Sequence, residues 1–328
     1  MRTQTCSVCG TILDSGAYEP LARVVCRKCG QNNLVQRAFD HFVVVETLGA
    51  GGMGTVYKAR DTHLERYVAL KLWRKDLGGE EDHNARFERD ARIAASVNHP
   101  NVVQIFWLGT DHGRFYVVME LIERGSLDDL IEEHGRLSEN HVLETGIQIA
   151  RGLRAAHRKG LIHLDVKPAN ILFVDEHAAK IGDFDLAALA TQQQQSDHVI
   201  WGTPPYVAPE RLNNEPEDIR SDMYSLGATL FHAVAGKPPI EADTNSATEL
   251  LELKRHPSDL RALAPDVSAP TVQVLQRMIA PDPKQRFSSY DELLAELDAA
   301  RRALEIADAR RHSSRWPFSG LFRHSRKL

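Results

Sequence analysis

The sequence predicts an α+β protein in which a β-rich region is followed by a helical region and preceded by a small cysteine-bearing module. Three observations support this class. Strand-like runs of β-branched and aromatic residues fill residues 42–121, apolar residues recur at helical spacing after residue 126, and all four cysteines lie within the first thirty residues. With 328 residues, 42% of them hydrophobic, the chain is long enough for two or three domains.

The β-rich region, residues 42–121, contains five strand candidates and one predicted helix. The helix is predicted at residues 84–97, where the apolar spacing is helical, and Pro100 breaks it. The strand candidates are FVVVETL from residue 42, TVYKA at 55–59, YVALKLW at 67–73, VVQIFWLG at 102–109 and RFYVVMEL at 114–121. Together they predict a small, mainly antiparallel domain.

Helical patterns dominate the second half. The predicted helices cover residues 126–134 and 141–160, with later ones around 221–235, 247–254, 270–280 and 288–310. The polar segment ATQQQQSDH, residues 190–198, predicts a mobile loop.

The bulk charge excludes little. A formal net charge of -5 gives no reason to expect the whole molecule to bind nucleic acid, although a local basic patch remains compatible with it. No apolar run approaches the roughly 20 residues that cross a bilayer, and the start, MRTQTCSVCG, lacks the apolar stretch of a secretory signal. We therefore expect a cytoplasmic protein without a transmembrane segment.

The cysteines form two CxxC pairs, each followed by glycine, in CSVCG and CRKCG. They are Cys6, Cys9, Cys26 and Cys29. This spacing is typical of a zinc ribbon, in which four thiolates close a tetrahedral Zn²⁺ site without an open position, so the metal is expected to be structural. Two disulfides or a redox dithiol are the alternatives; a reducing compartment and the lack of a thioredoxin-like βαβ pattern argue against them. We expect residues 1–36 to form this zinc-ribbon-like module.

A glycine-rich turn lies between the first two strand signals. Gly49, Gly51 and Gly54 form a GxGxxG pattern, followed by Val56. A dinucleotide fingerprint leads into a helix, whereas this pattern leads into a strand, which favours a hairpin that covers phosphate groups. Downstream, VALK places Lys71 on a strand, where its ammonium can pair with phosphate charge or simply face solvent.

Further motifs give the chain a family resemblance. HLDVKPAN at 163–170 and DFD at 183–185 are followed by GTPPYVAPE at 202–210, SDMYSLG at 221–227 and DPKQR at 282–286. In this order and at these gaps, the motifs make residues 40–300 resemble a eukaryotic-type Ser/Thr protein kinase of the bacterial branch. The resemblance implies the bilobal kinase fold, with a β-rich small lobe over about 40–122 and a helical large lobe over about 123–300.

The resemblance implies a division of catalytic work among charged side chains. Asp165 would orient the substrate hydroxyl and accept its proton, and Lys167 would contact the transferred phosphate. Asn170 and Asp183 would hold Mg²⁺, or Mn²⁺ in its place, and Lys71 would grip the α and β phosphates of ATP.

It also implies an adenine site. Met119 aligns with the residue at the back of the adenine pocket. The backbone of Glu120 and Ile122 would hydrogen-bond the adenine, and Val56 and Ala69 would sandwich the ring.

Other matched positions have structural roles in the family. Glu210 and Arg286 match a buried ion pair, and Asp222 matches the carboxylate that braces the catalytic loop. GTPPYVAPE resembles the platform for protein substrates, and Thr203 together with Lys167 follows the Ser/Thr pattern rather than the Tyr pattern.

Three positions depart from the family. Asp90 stands where a helix glutamate pairs with the strand lysine; it is one methylene shorter, and the alternative is a solvent-facing Asp90 with Lys71 held by phosphate alone. Leu164 replaces the arginine that binds a phosphorylated loop residue, so we expect activity that does not depend on that phosphorylation. Asp185 replaces the glycine of DFG but leaves the metal-binding Asp183 in place.

The expected function is transfer of the γ-phosphate of ATP to Ser/Thr hydroxyls of proteins; the alternative is a pseudokinase or nucleotide-binding scaffold. The tail, residues 301–328, ends in basic residues interleaved with aromatic ones. Such a segment suits an anionic membrane surface or an acidic partner, but also a disordered end or one folded back on the kinase domain. Its serines are candidate autophosphorylation sites, and the ribbon is expected to contact protein or to pack on the small lobe.

Overall fold

The computed structural model describes residues 3–16, 18–52, 54–74, 91–111, 114–184, 203–244 and 246–314. The chain divides into two compact units. The first holds Met1–Ser126, Gly152–His163 and Asn170–Trp201; the second holds Leu127–Arg151, Leu164–Ala169 and Gly202–Leu328. Among the described helices, none combines the length and the apolar character needed to cross a bilayer.

The first unit begins with two short antiparallel hairpins. Strands β1 (Thr3–Thr5) and β2 (Ile12–Asp14) form one, and β3 (Arg23–Val25) and β4 (Asn32–Leu34) form the other. Each hairpin carries one CxxC pair in its connection. The two hairpins therefore reproduce the arrangement that the paired cysteine motifs predict.

A six-stranded antiparallel sheet follows, with the strand order β5-β6-β7-β8-β10-β9. Its strands are β5 (Ala38–Phe39), β6 (Phe42–Gly51), β7 (Gly54–Asp61), β8 (Arg66–Trp73), β9 (Ile105–Asp111) and β10 (Arg114–Met119). The five strands predicted from the sequence are all present, and β5 is an additional edge strand.

Strand β8 lies inside the sheet and is buried on both faces, which explains its nearly continuous apolar sequence, RYVALKLW. Val68, Leu70 and Leu72 pack into one core cluster. Ala69 and Trp73 belong to a second cluster on the opposite face. Since side chains alternate along a strand, Lys71 also points to that second face.

The predicted strand at 102–109 was wrong in its first three residues. The sheet strand begins at Ile105, because the segment before it pairs elsewhere. The N–H of Val103 donates to the carbonyl of Ile181 over 2.9 Å, and the N–H of Ile181 donates to the carbonyl of Asn101 over 2.9 Å. Of the helix predicted at 84–97, residues 91–97 are described; 91–95 are helical, and the helix ends two residues before the predicted end.

The remaining helices are α1 (Leu127–His134), α2 (Glu139–His157), α3 (Pro209–Leu212), α4 (Ile219–Ala235), α5 (Ala247–Arg255), α6 (Leu260–Leu263), α7 (Ala269–Met278) and α8 (Tyr290–Ser314). A small hairpin, β11 (Ile171–Phe173) with β12 (Ala179–Ile181), belongs to the first unit. The six long helices agree with the sequence pattern, whereas α3, α6, β11 and β12 are too short to give a periodic signal.

Helix α4 is the central helix of the second unit. Most of its residues are buried, which is the reason that its sequence is apolar on nearly every side. The Asp218 side chain caps its first turn by accepting from the N–H of Arg220, and Gly236 ends it in the left-handed conformation, with φ of 75°.

Candidate active site

Lys71 meets a carboxylate on the second face of the sheet. It is 4% exposed, and its ammonium lies 3.0 Å from Oδ1 of Asp183. A buried ammonium at this distance from a carboxylate is a charge-assisted contact, which offsets part of the free energy of removing the charge from water. Lys71 and Asp183, which are 112 positions apart in the sequence (183 minus 71), are therefore neighbours in the first unit.

The β11–β12 hairpin places Asp183 beside Asn170. Ile171 pairs with Ile181, so the residues just outside that pair, Asn170 and Gly182, lie at the same end of the hairpin. The N–H of Gly182 donates to the carbonyl of Asn170 over 2.9 Å. Both proposed metal ligands thus come from the open end of one hairpin.

The backbone at Asp183 is in the left-handed region, with φ of 59°. Asp is one of the few residues that adopt this conformation at modest cost. The neighbouring residues are fixed by contacts: the His163 ring nitrogen Nε2 lies 2.7 Å from the carbonyl of Gly182, and the rings of His163 and Phe184 are 4.5 Å apart. Asp185 lies outside the described residues.

The residues predicted for an adenine site share one apolar cluster. Val56, Ala69, Met119 and Ile122 all belong to it. The sequence reasoning did not include Leu172, which packs against the same cluster from β11. The sequence signal for Leu172 is the apolar run ILF directly after HLDVKPAN. This run is too short for its pattern to show which cluster it packs against.

The connection after β10 is held through Glu120. Its N–H donates to the carbonyl of Gln104 over 2.8 Å, and its carboxylate lies 2.7 Å from the Lys180 ammonium. Because the N–H of Glu120 already has an acceptor, an adenine can use only the carbonyl of this residue. The N–H of Ile122 is the matching candidate donor.

The glycine-rich hairpin joins β6 to β7, with Gly51 paired to Gly54 and Gly49 paired to Val56. A Cβ added at Gly49 or Gly51 would meet nothing within 4 Å, so these positions leave open space for a close ligand. Gly54 is different: a Cβ there would lie 2.3 Å from the Leu72 carbonyl oxygen. Glycine at 54 is therefore required by strand packing.

The second unit carries Asp165 and Lys167. The Lys167 ammonium lies 2.9 Å from Oδ2 of Asp165. Leu164, just before Asp165, has φ of 63°, a conformation that costs an ordinary L residue about 1–2 kcal/mol. Its N–H donates to the Asp222 carboxylate over 2.7 Å, and its carbonyl accepts from Nη1 of Arg211 over 2.8 Å. Two hydrogen bonds therefore hold the backbone in this conformation.

The sequence matches the family described as "Protein kinase domain" over residues 42–297. The chain belongs to the protein kinase family. It is 35% identical over 270 residues to the serine/threonine-protein kinase PknB of Mycolicibacterium smegmatis, covering 80% of this chain and 43% of that protein. A probable serine/threonine-protein kinase of Clostridium acetobutylicum is 32% identical over 259 residues, covering 79% of this chain and 39% of that protein.

Solved kinase structures agree with this assignment. The crystal structure of the Mycobacterium tuberculosis PknI kinase domain has a TM-score of 0.65 and 26% sequence identity, covering 80% of this chain and 97% of that one. The chain spans about two fifths of the length of the curated relatives that it matches. The predicted kinase fold, with its sheet-rich N-terminal and helical C-terminal regions, is confirmed.

The buried kinase ion pair between Glu210 and Arg286 is present, with Nη1 of Arg286 2.7 Å from Oε1 of Glu210. A guanidinium has five N–H donors, and here all five have acceptors. Arg286 donates to both Glu210 oxygens and to the carbonyls of Ala280, Pro281 and Arg220, over distances of 2.7 to 3.1 Å. This site is satisfied without water.

Asp222 acts as the kinase family predicts: its carboxylate accepts from the N–H of Leu164. The sequence reasoning missed Arg211, which approaches the same loop from helix α3. Arg211 is buried beside Glu217, and burial raises the pKa of the Glu217 carboxyl. Leu164 replaces the arginine of the family motif, and a buried guanidinium, that of Arg211 on helix α3, contacts the backbone at this position.

The four cysteines meet at the tips of the two hairpins. Their sulfur atoms all lie within 4.8 Å of one another, with Cys6 to Cys29 at 3.5 Å and Cys9 to Cys26 at 3.6 Å. A tetrahedral zinc site with Zn–S bonds of about 2.3 Å has sulfur–sulfur edges of about 3.8 Å. The donors therefore fit a zinc ion, as the zinc-ribbon-like spacing predicted.

The two CxxC pairs adopt the same type of backbone turn. Gly10 donates its N–H to the carbonyl of Cys6, and Gly30 donates to that of Cys26, over 3.0 and 2.8 Å. Both glycines have positive φ, 66° and 72°, which explains why glycine follows each CxxC. The backbone N–H groups of Cys9 and Val8 lower the pKa of Cys6 to about 6, whereas the neighbouring sulfur of Cys9, with burial, raises the pKa of Cys29, so the four thiols share their charge unequally.

The cysteine module packs against the kinase sheet through buried arginines. Arg114 on β10 donates to both oxygens of Glu19 over 2.7 Å and to the carbonyl of Trp73 over 2.7 Å. Arg37, the residue directly after the module, donates to the carbonyl of Tyr18 over 3.3 Å and lies 2.7 Å from Asp111 at the end of β9. Packing on the small-lobe sheet, one of the two expectations for the ribbon, is what the structure shows.

Several predicted residues lie outside the described part of the chain. They are Asp90, Asp185, the polar segment at 190–198 and the aromatic residues of the tail. The pairing of Lys71 with Asp90 therefore stays a prediction.

Proposed function

We propose that this chain is a Ser/Thr protein kinase that transfers the γ-phosphate of ATP to protein hydroxyl groups, with Lys71, Asp165, Lys167, Asn170 and Asp183 as its catalytic and metal-holding residues. The observation that supports it most directly is the contact of Lys71 with Asp183 at 3.0 Å, since these two groups serve the same triphosphate in the family. The two relatives are named as Ser/Thr protein kinases, which agrees with this class.

Each group has a chemical task. Asp165 accepts the hydroxyl proton of the substrate as the oxygen attacks the γ-phosphorus, and the bond to the β-phosphate oxygen breaks. Lys167, 2.9 Å from Asp165, neutralises charge on the transferred phosphoryl group. Asn170 and Asp183 would hold Mg²⁺, which when bound neutralises phosphate charge. Lys71 positions the α and β phosphates.

The adenine would lie in the apolar cluster that contains Val56, Ala69 and Met119. The carbonyl of Glu120 and the N–H of Ile122 would supply the hydrogen bonds to its edge. Leu172 would add apolar contact from β11.

We further propose that Cys6, Cys9, Cys26 and Cys29 bind one structural zinc ion. Four thiolates complete its tetrahedral coordination, so it takes no part in catalysis. Its task is to join the two short hairpins, whose own apolar contacts are few.

A labelling assay tests the proposed transfer. The full chain is incubated with γ-labelled ATP, Mg²⁺ and dephosphorylated casein, beside Lys71→Met and Asp183→Asn. We expect both variants to lose at least 99% of the incorporated label, because each removes a group that acts on the triphosphate. Lys237→Met is the matched control: Lys237 is exposed and pairs with Glu241, so its label should be unchanged.

Nucleotide binding separates the enzyme from the pseudokinase alternative. Calorimetric titration with ATP and Mg²⁺ measures binding independently of transfer. Binding by the wild-type chain without any label transfer would refute the enzyme and support a nucleotide-binding scaffold. Label that persists in Asp183→Asn would refute the assignment of that residue.

A further inference from the structure

Lys254 is a fully buried lysine that the proposed chemistry does not use. It lies in the last turn of α5 and is 1% exposed. Lysine is almost never buried to this degree unless a partner compensates its charge. Its acceptors are the carbonyl oxygens of Pro204 and Pro205, at 2.8 and 3.3 Å, and the Tyr224 hydroxyl oxygen, at 3.5 Å.

The two prolines explain why an outside donor is needed. They have no N–H group, so they add no backbone donor to this segment, and their own carbonyls are held from outside by Lys254. An ammonium offers three donors from one point and reaches both carbonyls at once. A stiff dipeptide fixed at both carbonyls has little freedom to move.

A second contact fixes the other end of this segment. The hydroxyl of Tyr206 lies 2.7 Å from Nδ1 of His232 on α4. The N–H of Tyr206 donates to the carbonyl of Thr203 over 2.9 Å, which closes a turn across the prolines. Residues 203–208 are thus held by α5 at the prolines and by α4 at the tyrosine.

Lys254 lies between this segment and the buried Arg286–Glu210 ion pair, with the Tyr224 ring shared by both cations. Its ammonium lies 5.2 Å from the centre of the Tyr224 ring, and the Arg286 guanidinium lies 4.8 Å from the same centre. The groups that face Lys254 are Tyr224, Arg286 and, through Arg286, Glu210. Burial, with Arg286 as a second cause, lowers the pKa of Lys254 to about 7, so this lysine is held at a considerable electrostatic cost.

Residues 203–208 belong to GTPPYVAPE, the segment that resembles the platform for protein substrates. We propose that Lys254 is a positioning residue for the protein substrate, fixing the carbonyls of Pro204 and Pro205 and so the shape of the surface that receives the peptide. This inference rests on the proposed function. It adds a residue on α5, outside every kinase motif in the sequence, to the determinants of substrate binding.

Steady-state kinetics test the proposal. Lys254→Met has nearly the same volume and no donors; Lys254→Gln keeps a shorter donor. With the peptide that the wild-type chain phosphorylates fastest from a degenerate serine library, we expect the peptide KM to rise about tenfold in Lys254→Met and less in Lys254→Gln. The KM for ATP and the slow hydrolysis of ATP without peptide should stay within twofold. Lys237→Met again serves as the exposed-lysine control.

Hydrogen exchange gives a readout that does not depend on transfer. The amides of Tyr206 and Val207 both donate to the carbonyl of Thr203, and they should exchange about tenfold faster in Lys254→Met. Unchanged exchange together with an unchanged peptide KM overturns the inference. An equal loss in both KM values, with a lower melting temperature, also overturns it, because it shows a general folding role.

The outcomes also separate this inference from the function on which it rests. A wild-type chain that labels no peptide refutes the proposed function and, with it, the inference. A wild-type chain that labels peptide while Lys254→Met behaves like Lys237→Met refutes the inference alone.

Discussion

The Arg286–Glu210 pair allows a quantitative prediction about stability. Arg286→Met removes five hydrogen bonds at a fully buried site and leaves the Glu210 carboxylate 3% exposed. Among the residues that the structure describes, only the Ser221 hydroxyl, at 2.6 Å, still donates to that carboxylate. Stranding one member of a buried pair costs about 3–5 kcal/mol, which is a large part of a typical unfolding free energy of about 5–15 kcal/mol.

Urea unfolding followed by far-UV circular dichroism measures the loss. Arg255→Met is the matched control, since Arg255 forms an ion pair of 2.8 Å with Glu252 but both side chains are more than 60% exposed. The same substitution there should change the unfolding free energy by less than about 0.5 kcal/mol. In thermal unfolding, Arg286→Met should melt about 6–20 °C lower than the wild type.

A double variant isolates the cause. Glu210→Met combined with Arg286→Met removes the stranded Glu210 carboxylate as well, so it should recover at least about 1 kcal/mol relative to Arg286→Met alone. The reasoning is refuted if Arg286→Met and Arg255→Met destabilise the chain equally. It is also refuted if the double variant is less stable than the single one.

Four further predictions follow from other sites. Zinc measured by atomic emission should be one equivalent per chain and fall below about 0.2 in Cys26→Ser; undiminished zinc in that variant would contradict the four-thiolate site. Arg211→Met removes the donor to the Leu164 carbonyl, so the transfer rate should fall at least about tenfold with the ATP KM unchanged; an unaltered rate would show that the contact is dispensable. The pKa of Lys254 is about 7 in the folded chain and has its ordinary value of 10.5 in the unfolded chain. Between pH 7 and 10.5 the unfolded chain therefore binds more protons at this residue than the folded chain. Stability should therefore rise with pH, and from pH 7 to 9 the wild type should gain about 2 kcal/mol over Lys254→Met, whereas parallel pH curves would refute the shift. Arg114→Met should speed amide exchange at residues 18–22, because it removes the donors to Glu19; unchanged exchange would show that the ribbon does not depend on this contact.

Local signals explain how much of this protein could be predicted. The CxxC-glycine pairs, the two-sided burial of β8 and the long helices are all encoded by near neighbours in the chain, and the structure agrees with them. The kinase motifs also single out Lys71, Asp183, Arg286 and Glu210, which form two close ion pairs in the structure. Such features need no knowledge of what packs against them.

Contacts between distant positions could not be predicted in the same way. Arg211 reaches a carbonyl 47 residues away, and a carbonyl has no sequence signature. Lys254 lies in a helix whose pattern suggests a solvated basic end, and only the approach of two prolines shows its burial. The strand start at 102 was wrong for the same reason, because β12 competes for those backbone groups.

The anchoring of the cysteine module has a practical consequence for anyone who trims this chain. A fragment cut to the family match would begin at residue 42. It would lack Phe39, whose side chain is 0% exposed within the sheet core, and Arg37, whose guanidinium contacts Asp111. Such a fragment would present an uncovered apolar surface and would lose the contact of Asp111 with Arg37 at the edge of the six-stranded sheet. Poor solubility or weak activity of that fragment would then reflect where it was cut rather than the properties of the uncut chain.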